Sequence, residues 1–128
     1  MSPTQTRHKV GLGLLGSGVV GEAIQDIVFV DLQGKVGDDL ELDIRKIYTR
    51  NPAGKKWYST RSSLFAATAE EVIDDPHVEI VIEALGFDEP SQLPAFRDYI
   101  LSALKKGKSI VTSDKAVLAM RKWKTLWR

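Results

Sequence analysis

The chain has 128 residues, a formal charge of +1 and no cysteine. That length supports one domain with a real core, and the near-balanced charge points neither to nucleic acid nor to an acidic partner. The missing cysteines exclude disulfides and thiolate chemistry, and no apolar run approaches the roughly 20 residues of a membrane span.

The first nine residues, Met-Ser-Pro-Thr-Gln-Thr-Arg-His-Lys, are polar and lack a signal-peptide core. Residues 1–8 are expected to form a flexible tail ahead of one domain over residues 9–128, with the cytoplasm as the default location. Val10 to Leu15 is a short apolar run suited to a buried parallel strand. Glycines at 11, 13, 16, 18 and 21 fit the G-x-G-x-x-G dinucleotide turn in two overlapping registers, Gly11-Gly13-Gly16 and Gly16-Gly18-Gly21. The turn needs a strand before it and a helix after it. Val20, Ala23, Ile24, Ile27 and Val28 recur at helical spacing, so the turn falls at Gly16-Ser17-Gly18, and Gly11 and Gly13 belong to the strand.

The first helix is predicted from near Gly18 to before Gly34. Gly34, Gly37 and Asp38-Asp39 make a polar loop, and a second strand covers about Leu42 to Thr49. Asn51-Pro52-Ala53-Gly54 is a turn, and the basic, polar stretch 55–63 has no legible element. Thr68-Ala69-Glu70-Glu71 fits a capping box for a short helix ending before Pro76. Val78 to Leu85 is the next strand. Leu93, Phe96, Ile100, Ala103 and Leu104 form a helical stripe ended by Gly107, with Pro94 tolerable if Ser91 is the N-cap. Ser109 to Thr112 is a strand, and a final helix begins near Lys115. Alternating strands and helices argue for an α/β domain: a Rossmann-type doubly wound parallel sheet, single domain, of four or five strands with the first strand central.

In such a sheet the ligand lies across the carboxyl ends of the strands. Gly16 permits the tight turn, Gly18 lets a pyrophosphate approach the backbone, and Gly21 lets the helix pack close to the sheet. The helix start offers free N–H groups and a partial positive charge. The cofactor-binding candidates are therefore Gly16, Ser17, Gly18, Val19, Val20 and Gly21 at the turn, with Arg50, Leu85, Gly86, Thr112 and Ser113 at the other strand ends. An NAD-binding domain usually has an acid at the end of the second strand. Here Arg50 stands at that place, followed by Lys55 and Lys56. A guanidinium pairs phosphate oxygens, so NADP is expected in preference to NAD. His8, in the tail, and His77, after Pro76, do not make a metal site by spacing. Glu83 falls within a strand, and its charge is expected to meet a partner or solvent rather than substrate.

The segment Val78-Glu-Ile-Val-Ile-Glu-Ala-Leu-Gly86 leads to Ala103-Leu-Lys-Lys-Gly-Lys-Ser-Ile-Val-Thr-Ser-Asp-Lys-Ala-Val-Leu-Ala119. Together with the opening Gly-Leu-Leu-Gly-Ser-Gly-Val-Val-Gly, these stretches resemble the amino-terminal domain of homoserine dehydrogenase, over about residues 9 to 120. The late lysine motif is far more specific than the glycine fingerprint. Two departures stand out. Phe87 replaces a usual second glycine, and Ser113-Asp114 replaces the usual Ala-Asn before the lysine. Asp114 is placed to pair with Lys115 and keep it protonated.

The resemblance implies interconversion of L-homoserine and L-aspartate-4-semialdehyde with NADP or NAD, hydride transfer being the cofactor's chemistry. It makes Lys115 the catalytic candidate, donating to the developing alkoxide or relaying its proton. Family members are several hundred residues long and carry a catalytic, dimer-forming second domain. The rest of the substrate site and any homodimer contact are expected there, and this chain alone is expected to bind cofactor without turnover. At Met120-Arg128, Trp123 and Trp127 share a helical face with Ala116 and Met120 and are expected to pack on this domain or the second one, with neither nucleic acid nor membrane as partner. Alternative readings are another two-domain dehydrogenase or a non-catalytic NAD(P)-sensing module.

Overall fold

In the computed structural model, residues 8–119 are described, apart from residue 88. The elements follow in order as β1 (His8–Leu15), α1 (Val19–Asp26), β2 (Lys35–Val36), β3 (Leu40–Tyr48), α2 (Tyr58–Arg61), β4 (Phe65–Ala66), α3 (Ala69–Asp74), β5 (Ile80–Glu83), α4 (Leu93–Lys105), β6 (Ser109–Thr112) and α5 (Lys115–Leu118). The sheet runs β2-β3-β1-β5-β6, with β4 also paired to β3. β1, β3, β5 and β6 are mutually parallel, as expected for a Rossmann-type sheet with β1 central. The two extra pieces lie on the outer edge of β3. β2 pairs antiparallel with Leu40 and Glu41, and β4 pairs parallel with Ile47 and Tyr48. Each is two residues long, too short to leave a periodic signal.

Successive residues of β1 point to opposite faces. Leu12 and Leu14 join Val28 of α1 and Ile44 and Ile47 of β3 in one core. Leu15 joins Ala69, Val72 and Ile73 of α3, together with Val78, Val81 of β5 and Ala103 of α4, in the other. Gly11 and Gly13 fall on that second face. A β-carbon on Gly13 would lie 2.5 Å from Val72 Cγ1, and one on Gly11 would lie 1.7 Å from the His77 carbonyl oxygen. Both are packing glycines of the strand, and the phosphate turn begins after them.

Several local expectations need correcting. His8, assigned to the tail, opens β1 and donates its N–H to the Asp39 carbonyl at 2.8 Å. The inward face of α1 is Gly21, Gln25 and Val28, while Val20 and Ile27 are 47% and 46% exposed. The apolar stripe is rotated because the helix approaches the sheet most closely at Gly21. The last turn of this helix widens into a π-helical stretch over Ile27–Asp31. Ser91 does not cap α4. A 3-10 turn over Pro90–Gln92 leads into the helix, with Gln92 at the N-cap and Pro94 in the first turn. Gly107 ends that helix with φ of +79°, the left-handed conformation that glycine adopts without a steric cost. Thr68 does cap α3, accepting the Glu71 N–H at 3.2 Å, but the Glu71 carboxylate reaches back to the Ala67 N–H.

Residues 55–63 take their place from tertiary contacts. The Trp57 indole N–H donates to Asp26 Oδ1 at 2.9 Å, and its ring meets Phe29 edge-on at 5.1 Å. Arg61 lies over the Phe29 ring at 3.9 Å. Lys56 and Trp57 together hold the Asp26 carboxyl below the usual carboxylate range. No helix among the described residues is long and apolar enough to cross a membrane. The tryptophan-bearing end, from Met120 onward, lies outside the described residues.

Gly11→Ala is expected to destabilise the chain by roughly 3 kcal/mol, because the obstructing atom is a backbone carbonyl with nowhere to retreat. Gly54→Ala, where an added carbon meets nothing within 4 Å, should leave stability within about 0.5 kcal/mol. Urea denaturation of the two variants checks the contrast.

Candidate functional site

The chain leaves β1 through Gly16, whose φ of +103° and whose contact with β5 both require glycine. A β-carbon there would lie 2.2 Å from the Ala84 carbonyl oxygen. Gly21 sits over this turn so closely that its β-carbon would meet the Gly16 carbonyl oxygen at 2.3 Å. Between them Gly18 is the N-cap of α1, with no side chain capping the helix and nothing within 4 Å of where its β-carbon would stand. The glycines thus divide the work: two close the turn against protein, and the middle one leaves backbone open.

Ser17 is 2% exposed. Its hydroxyl turns inward and accepts a hydrogen bond from Gln25 Nε2 at 2.9 Å, while the same amide nitrogen donates to the Gly21 carbonyl at 3.2 Å. Gln25 therefore ties the turn to the first helix from beneath. It was hidden at sequence level because a polar residue there reads as surface, although it stands four residues after Gly21 on the line that faces the sheet.

A cleft of about 290 Å³ opens above the turn, lined by Gly16, Ser17, Gly18, Thr49, Arg50, Asn51, Lys55 and Leu85. It lies at the carboxyl ends of β1, β3 and β5, where the chain reverses its direction of winding across the sheet. This is the switch point at which open α/β sheets bind ligands. Five of the expected site residues, Gly16, Ser17, Gly18, Arg50 and Leu85, are brought together here. Val19 and Val20 follow at the helix start, exposed by 91% and 47%, and Gly21 supports the turn from within. Gly86, Thr112, Ser113 and Lys115 stand outside the lining, at the exits of β5 and β6.

The cations expected near the second-strand end separate. Lys55 faces the cleft, whereas Lys56 pairs with Asp26 of α1 at 3.0 Å and is not among the lining residues. Arg50 is exposed and close enough to Tyr99 of α4 to act on its phenol. Burial, followed by the charge of Glu70, pushes that phenol above its ordinary value, and Arg50 opposes the rise. Among the described residues no carboxylate lines the cleft.

Glu83 meets partners rather than solvent, the Leu85 N–H and the Thr112 hydroxyl, and no cation among the described residues. It is fully buried, in register with Leu15 of β1 and Thr112 of β6. Burial first, then the hydrogen bond and charge of Asp114, push its carboxyl up to about 8. Asp114, expected to pair with Lys115, instead accepts the Gly86 N–H at 3.3 Å and faces Glu83. Lys115 forms no ion pair among the described residues. The register of β5 against β6 creates this meeting of two acids 31 positions apart, and spacing alone does not reveal it. His8 and His77 join no metal-binding cluster among the described residues.

A family sequence profile described as homoserine dehydrogenase, NAD binding domain, matches residues 11–128. The chain is 35% identical over 116 residues to the homoserine dehydrogenase of Mycobacterium bovis, covering 86% of this chain and 24% of that protein. It is 29% identical over 113 residues to the enzyme of Bacillus subtilis, covering 87% of this chain and 25% of the relative. A crystal structure of homoserine dehydrogenase from S. aureus superposes with a TM-score of 0.70 at 25% identity, over 86% of this chain and 27% of that one. The chain spans about a quarter of the length of the relatives it matches. It belongs to the homoserine dehydrogenase family, whose NAD-binding domain it comprises.

Proposed function

We propose that this chain holds NADP in preference to NAD within an oxidoreductase that interconverts L-homoserine and L-aspartate-4-semialdehyde. The observation that carries the cofactor reading is the open backbone at Gly18 over the uncapped start of α1, inside a cleft whose charged lining residues, among those described, are Arg50 and Lys55. A pyrophosphate fits the helix start, where free N–H groups converge. An adenosine ribose laid toward the end of β3 meets two cations and, among the described residues, no acid, which suits a 2′-phosphate better than a bare 2′-hydroxyl.

The nicotinamide, when bound, supplies the hydride chemistry. The chain's own residues orient it and handle the proton. Leu85 walls the cleft on the β5 side, and the turn that follows is tied through the Gly86 N–H to Asp114, the residue before Lys115. Lys115 is thereby linked, through Asp114 and Gly86, to the residue after Leu85 in the cleft wall. We assign proton transfer to Lys115: as an ammonium it gives a proton to the substrate oxygen on reduction, and as the neutral amine it receives one on oxidation. Oxidation of the alcohol moves one hydride to the cofactor and releases one proton, so the reaction balances with no further reagent. We assign the groups that hold the substrate's amino acid portion to the remaining length of the relatives, of which this chain spans about a quarter.

Calorimetric titration of the chain is expected to give tighter binding of NADP than of NAD by about tenfold, the size of one charge-assisted hydrogen bond. Arg50→Ala and Lys55→Ala should each erase most of that preference and leave NAD binding unchanged. Equal affinities, indifferent to Arg50→Ala, would refute the NADP reading. Gly18→Ala should keep the melting temperature and lose cofactor affinity by about tenfold or more, whereas a purely structural turn would show neither effect. The chain alone should bind cofactor and show no turnover of homoserine. In a protein that also carries the substrate-binding portion, Lys115→Ala should lower kcat by 10²-fold or more, the range for a lost general acid.

A further inference from the structure

Glu83 is an acid where water does not reach, with 0% of its surface exposed. It points to the same side of β5 as Val81, toward the core built by α3 and α4. Its Oε2 lies 3.4 Å from the Leu85 N–H nitrogen and 3.5 Å from the Thr112 hydroxyl, and its Oε1 has no hydrogen-bond partner. No cation faces it among the described residues. β1 presents Leu15, β6 presents Thr112, and the one charged group acting on it is Asp114, a second carboxyl. Lys115, next in sequence, is exposed and unpaired among the described residues.

A buried carboxyl that faces a second, half-buried one without a cation is disfavoured from ionising. One proton between them turns repulsion into a strong hydrogen bond. Asp114 is also anchored by its own backbone, whose N–H donates to the Thr112 hydroxyl at 3.1 Å, and its Oδ2 accepts the Gly86 N–H. The pair therefore touches the backbone at two successive residues leaving β5, Leu85 and Gly86, and holds the residue that opens α5.

We propose that the Glu83–Asp114 pair, bridged by a single proton, is a positioning latch that clamps the Leu85–Gly86 turn to the start of α5 and so fixes both a wall of the cleft and the place of Lys115. The latch rests on the reading of that cleft as the cofactor site. Loss of its proton leaves two facing anions, which separate, and the turn and the α5 start come apart with them. The latch is thus closed at neutral pH and opens as pH rises past about 8, the value to which Glu83 is raised.

The test compares the chain as it stands with Asp114→Asn, which offers Glu83 an amide donor of the same shape, and with Glu83→Gln, which offers Asp114 one. NADPH affinity is measured from pH 6 to 9.5, and the unliganded melting temperature from pH 4 to 9.5. If only the latched form binds, Kd rises about tenfold between pH 7 and pH 9 in the parent chain and stays within about twofold in both variants. The melting arm has a definite sign. Between the ordinary value of 4.5 and about 8, the native state holds a proton that the unfolded state has released. Stability therefore falls as pH rises through that window and levels beyond it; Glu83→Gln loses this slope, and Asp114→Asn, which leaves the burial of Glu83 in place, lessens it. Parallel Kd profiles in parent and variants, with the melting slopes differing, would make the pair a structural feature only and overturn the positioning role. Identical melting slopes would overturn the shared proton itself. Absence of NADPH binding at every pH would sink the cofactor reading and the positioning role with it, while the melts still report on the proton. Should one variant fail to fold, the other decides.

Discussion

Protein approaches the central strand so closely that positions 11 and 13 of β1, and position 16 at the turn after it, have no room for a β-carbon. The His77 carbonyl stands against position 11, Val72 and Val78 against position 13, and the Ala84 carbonyl against position 16. α1 meets the turn at Gly21 with the same intimacy. A parallel strand in the middle of an α/β sheet is covered on both sides, and here the cover is drawn in to backbone contact. Everything in the cleft follows from it. Because α1 comes down onto Gly16, its N-terminus is aimed across the strand ends. Because β5 presses the turn from the side, the exits of β1 and β5 form one wall.

That constraint is written in the sequence as glycines, and it is why the sequence was legible where it was. Their spacing, followed by a helix, located the turn. The bounds of β6, the start of α5 and the end of α4 at Gly107 could be read from apolar runs and terminators that act locally. Residues 55–63 could not be read, because Trp57 and Arg61 take their positions from Asp26 and Phe29, far away in the chain. β2 and β4 exist only as partners of β3. The stripe along α1 pointed at the right element with the wrong rotation, since close approach at a glycine outweighs the attraction of burying Val20 or Ile27.

The chemistry of the site divides in the same way. Arg50 and the turn glycines announced themselves, because each residue type has one evident use at the end of a strand. Which of the two adjacent lysines faces the cleft was decided by a carboxylate on α1 that draws Lys56 away. The meeting of Glu83 with Asp114 depends on the pairing of β5 with β6, and no property of either residue alone foretells it. Long-range register fixes electrostatics, and electrostatics fixes the protonation state of what lies behind the cleft.

The outer edge of β3 carries one further consequence. Its first residues are paired antiparallel by β2 and its last by β4 in the parallel sense. A foreign strand sliding onto that edge would have to run in both directions at once, so two fragments of two residues each guard nine residues of backbone against edge-to-edge aggregation. On the opposite flank β6 pairs with β5 alone among the described residues. Among the described residues the sheet is guarded at both ends of β3 and left open along β6, the edge where an additional strand meets the least obstruction.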